Sequence, residues 1–354
     1  MIGAPYGHRQ HWQRRKYSRQ LDPIHILHVL TDEGIEEICT VSDTRYTFMR
    51  TRDLKHLRAL TLGENPLQRK RLDSKLRAAT RHIFTLPRRH GVFGDYLWNI
   101  AGKAAQLTIC DLMGRARSTW PVYYNFDSSR VGSALEDTRK TVDMGSTAFK
   151  NHWNSTAEQN IFNARSIRQT FSDIPLHHDT ASPPYTYEEA LCVGRALQDL
   201  RFEEPLPDRN FEQLQALRSA LDIPILAPET LMHEWEFSAL WLRQGATHLL
   251  RANARHSTTA KLKLANCAQM RDSAIELNGP GGLFGLIHIH LVCAIGNTRY
   301  YEYLPGGTRD DLSREIGLMD SLPLINGYVC PPQVPLWGAE CDRAYFDKTR
   351  VALL

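Results

Sequence analysis

Residues 175–229 read PLHHDTASPPYTYEEALCVGRALQDLRFEEPLPDRNFEQLQALRSALDIPILAPE. Three short apolar runs lie in this stretch, and each ends on acid: 175–179 on Asp179, 201–204 on Glu203 and Glu204, and 224–229 on Glu229. Between the first two, 187–200 (YEEALCVGRALQDL) carries its apolar residues at the 3.6-residue helical period. Strands alternating with helices in this way predict a parallel sheet with crossover helices, either a closed barrel or a doubly wound open sheet.

Working outward, 147–153, 248–253, 274–278 and 298–303 read as further strands, and 234–244 as another amphipathic helix. Polar residues recur at the strand ends: Lys150 and His152, Asp179, Glu203 and Glu204, Glu229, Asn253, Asn278 and Glu302. An open sheet gathers its ligand at one switch point, whereas a barrel collects side chains from every strand at one mouth. Contributions from seven successive strands therefore predict the barrel. No GxGxxG follows an early strand, and Gly279-Pro280-Gly281-Gly282 lacks the spacing of a phosphate loop.

The first third of the chain is mixed α and β. A strand over 24–30, the turn Thr31-Asp32-Glu33-Gly34 and a strand over 35–41 predict a hairpin. Dense charge over 65–81 predicts an exposed helix, and helical spacing over 96–113 predicts a second, stopped at Gly114.

With 354 residues the chain is long enough for two packed units. Its net charge of +4 is too small to make nucleic acid the main partner, and the basic stretches 8–19 and 67–90 read as solvated surface. Seven scattered cysteines with no CxxC pair predict reduced thiols in a cytoplasmic protein. No apolar run is long enough to span a membrane, and the start MIGAPYGHRQHW carries no signal-peptide core. The sequon Asn154-Ser155-Thr156 is accordingly read as coincidence.

Asp179, Glu203 and Glu229 end consecutive strands, so a barrel brings three carboxylates around one point. They repel unless a cation sits among them, and an all-oxygen donor set suits Mg²⁺ or Mn²⁺.

Several segments resemble the mandelate racemase/muconate lactonising branch of the enolase superfamily, especially its sugar-acid dehydratases. These are Phe202-Glu203-Glu204-Pro205-Leu206-Pro207, 223–229, Ala101-Gly102-Lys103-Ala104, Leu62-Gly63-Glu64-Asn65-Pro66, NTRYYE at 297–302, and Asn326-Gly327-Tyr328-Val329 with Pro331 and Pro332. The resemblance implies an α/β fold: a modified TIM (β/α)7β-type barrel over 121–312. An α+β capping domain over 1–120 would cover it, and a segment over 313–354 would return to that cap.

The activity so implied is a lyase (dehydratase) or isomerase that removes the proton α to the carboxylate of a hydroxy or sugar acid. Mg²⁺ stabilises the enediolate, and Lys or His serves as base. By position, Asp179, Glu203 and Glu229 are the metal ligands, Glu204 an adjacent acid, and Glu302 a hydrogen-bond partner of the substrate carboxylate. The implied partner is a small carboxylate, within a homo-oligomer.

Two departures from the family pattern bear on the reaction. The usual Lys-x-Lys of the second barrel strand reads Lys150-Asn151-His152 here; the histidine can act as base, with Lys150 lowering its pKa or steering the substrate carboxylate, so that the two work one catalytic face. The Asp–His dyad of the opposite face matches Asn253 and Asn278, which carry no titrating group. One competent face disfavours racemisation and leaves syn-dehydration or cycloisomerisation. The alternative is a relative that binds metal and has lost turnover. His256 is a further candidate at the mouth, as are His8, His11 and Trp12 in the N-terminal arm. His288 and His290, on a helix, read chiefly as packing residues.

Overall fold

The computed structural model describes residues 26–40, 51–81, 90–126, 131–152, 155–180, 185–198, 201–231, 234–279, 282–304, 324–338 and 340–353. The basic arm with His8, His11 and Trp12, the sequon's Asn154, and the Pro280-Gly281 pair lie outside these residues.

Strands β1 (Ile26–Leu30) and β2 (Glu36–Thr40) form the expected antiparallel hairpin. Gly34 takes φ +79 in its turn, a conformation that glycine adopts without strain. Helices α1 (Thr51–Thr61) and α2 (Arg69–Ala79) follow. The single helix expected over 96–113 is in fact two, α3 (Gly91–Ala105) and α4 (Ile109–Met113). Gln106 turns left-handed at φ 54, and the Thr108 hydroxyl accepts from Asp111 N at 3.1 Å to start α4. That local cap outweighs the continuous apolar period, which carries no record of a break. Gly114, at φ +91, ends α4 as expected.

Eight parallel strands then form a barrel: β3 (Trp120–Phe126), β4 (Ala148–His152), β5 (Leu176–Asp179), β6 (Arg201–Glu203), β7 (Ile225–Leu226), β8 (Leu250–Ala252), β9 (Ile275–Leu277) and β10 (Tyr301–Tyr303). Pairing runs in chain order from β3 to β7 and from β8 to β10, and β10 returns to β3. A parallel bridge between Leu226 and Leu249 closes the remaining gap. Strand β3 was not among the seven read from sequence. Its aromatic run WPVYYNF contains a proline and lacks simple alternation.

Crossover helices α5 (Val131–Asp143), α6 (Ala157–Thr170), α7 (Tyr187–Ala196), α8 (Phe211–Ala220), α9 (Trp235–Arg243), α10 (Thr258–Gln269) and α11 (Gly282–Ala294) surround the barrel. Side-chain caps set several of their starts. Thr186 and Glu189 form a reciprocal capping box on α7, and Thr156 and Asn210 accept from Gln159 N and Gln213 N. No helix among the described residues is long and apolar enough to cross a membrane.

The hairpin β11 (Leu324–Ile325) and β12 (Tyr328–Val329) adds an antiparallel edge to β3, and α12 (Arg343–Thr349) ends the described chain. Helix α3 packs against the segment that follows β8: Trp98 donates to Thr259 at 3.0 Å, and Asp95 accepts from Thr258 N at 2.9 Å at the start of α10. The Asn99 side chain joins Glu37 of β2 at 2.6 Å and Trp337 N at 3.1 Å.

Candidate active site at the barrel mouth

Side chains alternate along a strand, and the parallel register therefore fixes which ones share a row. Asn125 is level with Lys150, His152 with Asp179, and Asp179 with Glu203. Four neighbouring strands thus present Asn125, Lys150, His152, Asp179 and Glu203 toward one end of the barrel axis.

Lys150 is fully buried, and its ammonium is 2.8 Å from Asp179 Oδ2, 2.8 Å from Glu203 Oε2 and 3.0 Å from Glu302 Oε1. Burial and Arg251 act to discharge it. The three carboxylates prevail and hold its pKa well above the usual lysine range. Lys150 is therefore a fixed cation.

Burial works to raise the pKa of Asp179, but Lys150 and His152 hold it well below the carboxylate range. His152 Nε2 lies 2.7 Å from Asp179 Oδ2, and the imidazole is 23% exposed, open to the mouth. Glu203 is pushed up to about 7 by burial, which outweighs the neighbouring Arg251 and Lys150. Its two oxygens lie within ion-pair distance of those cations, yet neither makes an aligned hydrogen bond.

Glu302 is held differently. Its carboxylate accepts from Asn125 Nδ2 at 2.6 Å, Lys150 Nζ at 3.0 Å, Arg251 Nη2 at 2.5 Å and Gly279 N at 2.5 Å. Burial opposes its ionisation, but Arg251 and Lys150 keep it an anion. Four donors fill the oxygens that the family resemblance would direct at substrate.

Glu229 reaches the rim beyond β7, where Asn278 donates to its Oε1 at 2.6 Å. Glu204, at φ 46, accepts from Glu229 N at 3.0 Å. Burial and the carboxylates of Asp208, Glu229, Asp179 and Glu203 drive Glu204 well above the usual range, so it keeps its proton. Opposite His152, the Asn253 side-chain amide donates to Asn278 Oδ1, and its own Oδ1 accepts from Arg255 N at 2.7 Å. The Asn253–Asn278–Glu229 chain is thus a line of amide dipoles ending on a carboxylate.

His288 accepts from Ala254 N at Nε2 (2.8 Å), so Nδ1 carries the hydrogen and donates to Asn278 O at 2.7 Å. Burial lowers its pKa to about 3. His290 joins Cys110 N to Trp337 O. Both histidines are structural ties. His256 ends a 3₁₀ turn, Ala254–His256, and its side chain lies outside the described residues.

Sequence reading missed several lumen residues. Arg251 is buried, with Nε 2.8 Å from Glu203 and Nη1 3.1 Å from the Tyr123 hydroxyl. Below it, the His177 ring packs 4.8 Å from Tyr123 and 5.5 Å from Tyr300, and Arg201 pairs with Glu276 at 3.0 Å. The detectable signal was Arg251 itself, a charge between Leu250 and Ala252 in an otherwise apolar strand.

The donor set fits a divalent cation. Asp179, Glu203 and Glu229 offer only carboxylate oxygens, and the Glu203 carboxylate, which makes no aligned hydrogen bond, is buried beside Asp179 and Glu302, whose charge repels it. As the side chains stand, no three His, Cys, Asp or Glu among the described residues are drawn together into a cage. Lys150 stands between Asp179 and Glu203 instead.

Residues 133–345 match the family model described as Enolase C-terminal domain-like, which covers more than half of the chain. An arabinonate dehydratase of Saccharolobus solfataricus is 26% identical over 264 residues, spanning 71% of this chain and 69% of that protein. A D-galactonate dehydratase family member of Catenulispora acidiphila is 22% identical over 360 residues, covering 90% of this chain and 83% of its own. The crystal structure of D-glucarate dehydratase from Agrobacterium tumefaciens, complexed with magnesium, superposes with a TM-score of 0.80 at 23% identity. It covers 92% of this chain and 90% of that one. The chain belongs to the enolase superfamily, in its mandelate racemase/muconate lactonising branch.

Proposed function

We propose that the protein is an enzyme of the dehydratase or isomerase type that acts on a hydroxylated carboxylic acid with a divalent cation, Mg²⁺ first, held by Asp179, Glu203 and Glu229. The observation that carries this reading is the asymmetry of the mouth. A partly exposed His152 sits on one side, 2.7 Å from Asp179, and the untitratable Asn253–Asn278 pair sits on the other. The sugar-acid dehydratase names among its relatives support the substrate class.

When bound, the cation supplies positive charge that makes the proton α to a carboxylate removable. His152 takes that proton. The same imidazolium returns it to the β-hydroxyl on the same face, so the C–O bond breaks, water leaves and an enol remains. Asp179 orients the imidazole. Lys150, fixed as an ammonium, anchors Asp179, Glu203 and Glu302. Glu302, with its four donors, holds Lys150 and Arg251 in place.

Incubation of the protein with a panel of aldonic and aldaric acids, with Mg²⁺ or with EDTA, tests the reading. Formation of a 2-oxo-3-deoxy acid that requires Mg²⁺ and is lost in His152→Asn supports it. The same amide pair favours a second reading, a metal-binding relative without turnover. Mg²⁺ binding with no product from any acid selects that one.

A further inference from the structure

We propose that Arg251, together with Lys150, is a resident counter-cation of this site that competes with the divalent metal for Glu203 and Asp179. The inference rests on the metal reading above and assigns a role to Arg251, which the family pattern left unmentioned. The Arg251 side chain is 1% exposed, with Nε 2.8 Å from Glu203 Oε1, Nη2 2.5 Å from Glu302 Oε2 and Nη1 3.1 Å from the Tyr123 hydroxyl. Lys150 takes the other oxygen of Glu203 and also Asp179 Oδ2.

Two fixed cations therefore face the three carboxylates Asp179, Glu203 and Glu302. Two of the three proposed metal ligands, Asp179 and Glu203, are thus already paired with cations of the chain itself. Lys150 lies 2.8 Å from both Asp179 and Glu203, and Arg251 lies 2.8 Å from Glu203, so the chain's own cations occupy the side of these carboxylates that faces them. A cation that enters must share Glu203 with both and is repelled by each across a few ångströms of poorly screened interior. Arg251 touches no reacting atom in this scheme. It sets the charge and position of Glu203, and through it the affinity for metal.

The test is Mn²⁺ binding by titration calorimetry, with the metal-induced rise in Tm read in parallel, on the full chain. Removing the charge in Arg251→Met is expected to tighten Mn²⁺ by about tenfold or more and to enlarge the rise in Tm. Arg251→Lys keeps the charge and is expected to stay near wild type. Lys150→Met removes the second cation with the same expected sign and serves if Arg251→Met does not fold. Tightening in the Met variants supports the inference, including the case in which wild type itself binds no Mn²⁺. Wild-type binding with equal or weaker affinity in both Met variants overturns the inference alone, as does Arg251→Lys behaving like Arg251→Met. No Mn²⁺ binding by any variant overturns the metal reading beneath it as well.

Discussion

Asn278 donates its side-chain amide to Glu229 Oε1 at 2.6 Å, so a side chain with no titrating group holds a candidate metal ligand. Asn278→Ala releases Glu229 and leaves Asn253 without its acceptor. The expected cost is about 1–3 kcal/mol of stability from the unpaired buried amide, with Mn²⁺ affinity weakened several-fold. Urea unfolding and calorimetric titration check the two effects separately.

Glu302 collects four donors, two of them the cations Lys150 and Arg251. Glu302→Gln keeps the shape and removes the charge that both cations depend on. Breaking a buried ionic cluster from one side costs about 3–5 kcal/mol. Denaturant unfolding of the variant measures this cost. A loss under about 1 kcal/mol would mean that the cluster carries far less of the barrel's stability than its geometry indicates.

The strand-end acids and the closed parallel architecture were legible because a barrel repeats its unit, and acids at matched places in successive units stand out even in one sequence. The lumen was not. Arg251 and Glu302 meet only because β8 and β10 flank β9 in the barrel, and 51 residues of sequence separate them. The line of Asn253, Asn278 and Glu229 likewise needs three strand ends in space. Sequence period also joined α3 to α4, because the cap of Thr108 and the left-handed Gln106 are local choices that leave the apolar spacing intact.

His288 provides a pH-dependent check on the structural reading of the α11 histidines. Burial lowers its pKa from the usual 6.5 to about 3, so between those pH values the folded chain holds it neutral while the unfolded chain protonates it. Its contribution is therefore fully present above about pH 6.5 and is lost as pH falls toward 3. A non-titrating His288→Gln variant starts less stable at pH 7, because it loses the bridge between Ala254 and Asn278. The gap to wild type narrows as pH falls from 6.5 to 4. Paired urea melts across that range read it directly.

Asp95 has the opposite sign. Burial raises it from 3.8 to about 7 where it accepts from Thr258 N at the start of α10. The folded chain favours the neutral carboxyl, so wild type loses stability relative to Asp95→Asn as pH rises from about 4 to 7. Asparagine keeps the acceptor for Thr258. Unfolding curves for the pair at pH 4.5 and pH 7.5 show whether the variant gains in relative terms.

The central claim is that His152 alone works the proton α to the substrate carboxylate. Exchange of that proton, followed by proton NMR in D₂O with Mg²⁺ and a hydroxy acid the enzyme turns over, tests this most directly. The account predicts exchange or loss of the α proton in one C2 epimer only, reduced about 10²–10⁴-fold in His152→Asn. Exchange in both epimers, or exchange that persists undiminished in His152→Asn, would contradict it.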